Sequence, residues 1–184
     1  MVRHWGALAA VCLTLAACDA PIVYYRQVYT YMPGEFAYAG DLYLDVIGNP
    51  YKGPQDQFDR TLADTMSGGV WGTPVHFVTA RNPESRSPYK VVMVFDPPWY
   101  ASYDRLCVQP EMVKPLPPGP GNTKLSAALC RSDYPISYVY AGFVSEGPND
   151  PAFRSAIQQI ELALLPARNE HVDQNGGDSG GGRR

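Results

Sequence analysis

The stretch Tyr89-Lys90-Val91-Val92-Met93-Val94-Phe95 decides the fold of this 184-residue chain. It is a nearly continuous apolar run of strand length, rich in β-branched and aromatic side chains. A polar turn (81–88) precedes it and Asp96-Pro97-Pro98 follows. Such a run between breakers reads as the central strand of a sheet. Working outward, Val75 to Ala80 predicts a neighbouring strand, and Phe36 to Ile47 a longer one. In the latter Leu42, Leu44 and Val46 face one way while Asp41, Tyr43 and Asp45 face the other, the pattern of a half-buried antiparallel strand. Ile22 to Tyr31 and Ile136 to Val144 read as two more strands, separated from their neighbours by turns such as Met32-Pro33-Gly34 and Gly48-Asn49-Pro50.

Three helices fit between and after these strands. Phe58, Leu62 and Met66 recur every four residues in Gln55 to Met66, with Gly68-Gly69 as the stop. Asn122 or Thr123 opens a short helix to Arg131, with Leu125, Ala128 and Leu129 inward. Asn149-Asp150-Pro151 supplies a cap and a first-turn proline for a helix to about Leu165, whose inner face carries Phe153, Ile157, Ile160 and Leu164. Leu106 to Val108 reads as a further short strand, and Trp99 to Tyr103 as an aromatic loop. The order β-β-α-β-β-α-β-α predicts an α+β fold: a mainly antiparallel sheet with two or three helices packed on one face.

The N-terminus carries a different kind of information. Trp5 to Ala17 has no charged residue and ends in Leu15-Ala16-Ala17-Cys18. Thirteen residues suit a signal-peptide apolar region and are too few to cross a hydrocarbon layer of roughly 30 Å. The tetrapeptide resembles the lipobox of bacterial lipoproteins: an aliphatic residue, two small residues, then the cysteine that is acylated. The resemblance implies that residues 1–17 are a lipoprotein signal peptide and that Cys18 is the lipid-attachment site. Two or more acyl chains anchor a protein stably where one is marginal. It further implies a chain held on a cell-envelope membrane, facing the periplasm. Asp19 favours the inner membrane over the outer by analogy with enterobacterial sorting. Gly48-Asn49-Pro50, the later cysteine pair and the closing Leu164-Leu165-Pro166 are similar to small proteobacterial envelope lipoproteins, a likeness that carries no activity with it.

Residues 18–168 then form one α+β domain, and 169–184, a Gly-rich tail without apolar periodicity, is expected to be disordered. Removing Arg3 from the 15 basic residues leaves 14 against 18 acidic ones, a mild negative balance that excludes a nucleic-acid partner of the usual basic kind. Eighteen prolines limit helix length, and 13 tyrosines concentrate in alternating segments, which favours strands. With Cys12 removed and Cys18 blocked, Cys107 and Cys130 remain, an even pair that predicts one disulfide in an oxidising compartment.

Candidate chemistry is sparse. Gly177-Asp178-Ser179-Gly180-Gly181 resembles the nucleophile motif of chymotrypsin-like proteases, but it lies in the Gly-rich tail, with no barrel strands after it and no histidine motif before it. Chance explains it better. His76 is the one histidine of the expected domain; His171 begins the tail. Flanked by Val75 and Phe77, His76 reads as a partly buried strand residue, and one histidine makes no zinc site alone. Asp41 and Asp45 stand about 13 Å apart along their strand, the default being a solvated sheet face. No catalytic, metal or cofactor site is expected. Asp96, Trp99, Tyr100, Tyr103 and Asp104 form a possible ligand platform for sugar or peptide, since aromatic faces pack on apolar sugar surfaces and carboxylates accept from hydroxyls. The leading expectation is a non-catalytic binding or assembly module. Its partners are the membrane, through the lipid, and an envelope protein or glycan. The competing expectation is a small envelope hydrolase of glycan or peptide using Asp96 or Asp104, with or without His76.

Overall fold

Every residue of Tyr89–Phe95 is buried. In the computed structural model, which describes residues 21–28, 41–67, 75–81, 87–119 and 122–165, this strand lies inside a six-stranded sheet. The elements run β1 (Ile22–Val28), β2 (Asp41–Ile47), α1 (Gln55–Met66), β3 (His76–Val78), β4 (Tyr89–Phe95), α2 (Tyr103–Val108), β5 (Thr123–Arg131), β6 (Tyr134–Phe143) and α3 (Pro151–Leu164). The sheet order is β1-β6-β5-β4-β2-β3. β2 pairs parallel with β3 and β4, and the other three pairings are antiparallel. The fold is α+β, with a mixed, mainly antiparallel sheet.

Alternation along β4 divides the core in two. Val91, Met93 and Phe95 face a layer formed by α1 and α3, where Phe58, Leu62 and Met66 meet Phe153, Ile157 and Ile160. Val92 and Val94 face the opposite side and meet Leu106 and Cys107 of α2. Two helices therefore share one face, as expected, and the third covers the other. Local chemistry holds the large helices in place. Asp150 Oδ1 accepts from the Ala152 amide and Oδ2 from the Glu146 amide, both at 2.9 Å. These two donors hold its carboxyl below the usual carboxylate range. At the other end of α3, Ser137 Oγ donates to the Leu164 carbonyl and Arg26 Nε to that of Ala163, so β6 and β1 satisfy carbonyls that the last turn leaves open.

Three expectations are corrected. β2, expected to be antiparallel, pairs parallel with both of its neighbours, because helix α1 carries the chain back to the same end of the sheet before β3. Thr123–Arg131 is strand β5, not a helix, although Leu125, Ala128 and Leu129 have helical spacing. Leu125, Ala127 and Leu129 join the α1/α3 layer while Ala128 and Cys130 join the α2 layer. A strand buried on both faces loses its polar alternation, and pairing with β4 and β6 overrides the helical preference of Ala and Leu. Leu106–Val108 is the end of helix α2, not a strand. Residues 29–40 and 166–184, which include the predicted turn at Met32 and the Gly-rich tail, lie outside the described residues, as does Gly68-Gly69. Among the described residues no helix is long and apolar enough to cross a membrane.

Candidate functional site

The disulfide is present. Cys107 and Cys130, 23 residues apart in sequence, are bridged with a Cα–Cα distance of 5.6 Å. The bridge ties α2 to β5, and Lys90 reaches underneath it: its Nζ donates to the Cys107 carbonyl at 2.9 Å. That carbonyl belongs to the last turn of α2, where a cation complements both the open lone pair and the helix dipole. Cys18 lies outside the described residues.

Two of the five platform residues, Asp96 and Tyr103, are engaged within the fold. Asp96, at φ 47°, is buried at the exit of β4. Its own amide donates to Lys124 O at 2.8 Å, Lys124 N donates back to Oδ1 at 3.3 Å, and its carbonyl accepts from Leu116 N at 2.8 Å. Burial pushes the Asp96 carboxyl above its ordinary value, and the Lys124 amide opposes this. The residue closes a turn. Tyr103 packs edge-on against Tyr138, ring centres 6.1 Å apart, at the border of the α2 layer. What stays in water is Trp99, 96% exposed, edge-on to Tyr100, with the Arg105 guanidinium 5.3 Å from the Tyr100 ring centre. Asp104 is exposed on the first turn of α2.

His76 is corrected as well. It is exposed, not partly buried, and its Nδ1 lies 2.9 Å from Asp41 Oδ1. Parallel pairing of β2 and β3 sets Asp41 directly beside His76. Asp45 is half-buried, and burial raises its carboxyl above the ordinary value while Lys90 and Arg81 pull it down. A cleft of about 460 Å³ opens along this end of the sheet, lined by Asp41, Tyr43, Arg81, Tyr89, Lys90 and Asp133 among others. Arg81 stands 4.9 Å from the Tyr43 ring centre. The two cations and two carboxylates on its wall form a polar cleft of mixed charge. Asp96 stands at the far end. Tyr43 is level with Lys90, so Asp41 is level with Pro88, and Asp96 lies eight residues further along, roughly 26 Å at the rise of a strand. Asp96 and His76 therefore serve no common cleft. Among the described residues no group of three His, Cys, Asp or Glu side chains could hold a metal ion.

A second aromatic surface was not anticipated. On β1 the register slips between Val23 and Tyr25, leaving Tyr24 as an extra residue in the pairing with β6. Alternation would send Tyr24 and Tyr25 to opposite faces, and the bulge lets both meet the same face of β6. Tyr24 packs on Tyr140 at 5.5 Å and Tyr25 on Tyr138 at 5.9 Å between ring centres. Gly142 makes room for Tyr24, because a Cβ there would sit 3.0 Å from the Tyr24 ring. Asn122 Nδ2 reaches Tyr24 Oη, Tyr25 Oη donates to Gln27 Oε1, and Ser126 Oγ bonds Tyr138 Oη. The outer rings, Tyr24 and Tyr25, remain 50% and 47% exposed. The sequence signals were the Tyr24-Tyr25 doublet and the i, i+2 pair Tyr138 and Tyr140.

Sequence reasoning also missed Glu161. It sits on the buried face of α3, 3% exposed, and its Oε1 has no hydrogen-bond partner among the described residues. Its position four residues after Ile157 and one after Ile160 was the readable sign.

No protein-family model matches the chain, and no curated protein matches it. Among solved structures it is similar to a PelC variant dodecamer from Paraburkholderia phytofirmans, at 13% identity and a TM-score of 0.42, over 77% of this chain and 96% of that one.

Proposed function

We propose that this protein is a lipid-anchored envelope protein that acts as a non-catalytic binding or assembly module. The observation that carries the reading is a half-exposed tyrosine face built onto a fully packed sheet. The hydrolase alternative draws on Asp96 or Asp104, with or without His76. Asp96 is committed to a turn at the opposite end of the sheet from the Asp41–His76 pair. The lipobox Leu15-Ala16-Ala17-Cys18 supports the anchor, and a buried disulfide suits a chain that matures outside the reducing cytosol. In this reading Cys18 carries the acyl chains, the domain faces the periplasm, and Asp19 favours retention at the inner membrane.

Mass spectrometry of the mature N-terminus tests the anchor. An acylated Cys18 is expected, with Cys18→Ser accumulating as uncleaved precursor. An unmodified N-terminus beyond residue 18 overturns the reading. Alanine at Asp41, His76, Asp96 and Asp104 together, followed in cells lacking the wild-type copy, tests the non-catalytic role. Retained phenotype is expected, and loss of phenotype in a folded quadruple variant refutes it.

A further inference from the structure

We infer that the face formed by Tyr24, Tyr25 and Tyr140 is a binding subsite for an uncharged glycan chain. The inference rests on the binding-module reading and deepens it, moving the ligand from the Trp99 loop to the bulged edge of the sheet.

Three features point to sugar. First, the bulge on β1 turns two consecutive tyrosines to one face of the sheet, where ordinary alternation supplies one. It doubles the aromatic area of that edge strand, and both rings stay about half in water. Second, each apolar surface carries a polar handle. The Tyr24 and Tyr25 hydroxyls and the Asn122 and Gln27 amides lie among the rings. An aromatic ring stacks on the apolar face of a pyranose, while neutral donors and acceptors at its rim exchange hydrogen bonds with ring hydroxyls. Third, the face is poor in charge. Arg26, the one charged residue of β1, points to the opposite side, where its Nε donates to the Ala163 carbonyl on α3. Lys124, level with Gly142, is the one cation that β5 and β6 bring to this end. A lipid headgroup or an acidic polymer would call for several cations.

The layout suits an extended chain. Tyr138 and Tyr140 are two residues apart on β6, about 7 Å at the rise of a strand, so the rings that cover them stand at a spacing comparable to successive sugars. Tyr138 itself is nearly covered and ties the face to the core through Tyr103, so it sets the floor on which the outer rings rest.

The test uses the mature full-length chain purified in detergent, titrated calorimetrically with chitohexaose, cellohexaose and maltohexaose. Saturation transfer from aromatic protons to the sugar is read alongside. Binding of at least one hexaose is expected. Tyr24→Ala and Tyr140→Ala each weaken it by about three- to tenfold, the range of one aromatic stacking contact. Tyr24→Phe retains most of it, and Trp99→Ala leaves it unchanged. No binding of any of the three sugars, or equal binding by the folded Tyr24→Ala variant, overturns the proposal. So does a self-association in sedimentation that Tyr24→Ala abolishes, since the face would then be an interface between copies. An unmodified Cys18 with intact sugar binding would sink the anchor and spare the subsite; the reverse pattern would spare the anchor alone.

Discussion

Replacing Glu161 with glutamine should flatten the dependence of stability on pH. The carboxyl sits among Ile157, Ile160 and Leu164 on α3, and burial drives its pKa from the ordinary 4.5 to about 8. Its folded form therefore keeps a proton that the unfolded chain releases. Stability is highest below the unfolded value, where both states are protonated, and falls as pH rises until the folded carboxyl also ionises. At about 1.36 kcal/mol per tenfold in proton affinity, the gap between 4.5 and about 8 amounts to about 4–5 kcal/mol over the whole range. Between pH 5 and 7 the linkage gives a loss of roughly 2.5 kcal/mol from this residue. Asp45, Asp59 and Asp96, also raised by burial, add slope of the same sign to both proteins, so the difference between parent and variant is the readout. Urea denaturation from pH 5 to 8.5, with intact disulfide, measures it. Glu161→Gln should shift the absolute stability by a pH-independent amount and remove the extra slope. Glu161→Leu should do the same without leaving a buried amide unbonded. Parallel pH profiles for parent and both variants would refute the reasoning.

Two other perturbations follow. Cys107→Ala with Cys130→Ala opens a loop of about two dozen residues and should lower stability by about 3 kcal/mol in the chain-entropy account, read as a fall in urea midpoint; an unchanged midpoint would count against that role. Gly48→Ala places a methyl group at φ +85°, 2.8 Å from Pro115 Cγ and 3.2 Å from Phe95 O. A loss of about 1–3 kcal/mol is expected, with Pro115→Ala partly rescuing it, and a neutral Gly48→Ala would show that the close approach relaxes freely.

The sequence announced the elements whose chemistry is local. Tyr89–Phe95 reads best as a central strand, and Asp150-Pro151 marks the start of α3, where the Asp150 carboxylate accepts from the Ala152 amide. Thr123–Arg131 misled because its small and aliphatic residues suit helix and doubly buried strand alike; only the partners β4 and β6 decide. Functional residues were harder to see for a related reason. Asp96 and Tyr103 looked like ligand groups in a loop, yet one bonds the Lys124 amide and the other packs on Tyr138, contacts made across the sheet. The Asp41–His76 pair arises from a parallel register between residues 35 positions apart. The tyrosine face depends on a single slipped residue in β1, which no alternation pattern contains.

β1 has one neighbour in the described sheet, and it is β6: Ile22 lies opposite Gly142 and Val28 opposite Ser137. A ribosome delivers the chain from the other end of that partnership. β1 is synthesised early and waits until nearly the whole domain has followed before it finds its ladder, so this edge strand stays unpaired for the longest part of the chain's birth. Chains cut short before Tyr134 should leave that strand without its mate, and premature stops across a wide span of the coding sequence should converge on one outcome, aggregation through the Ile22–Val28 edge.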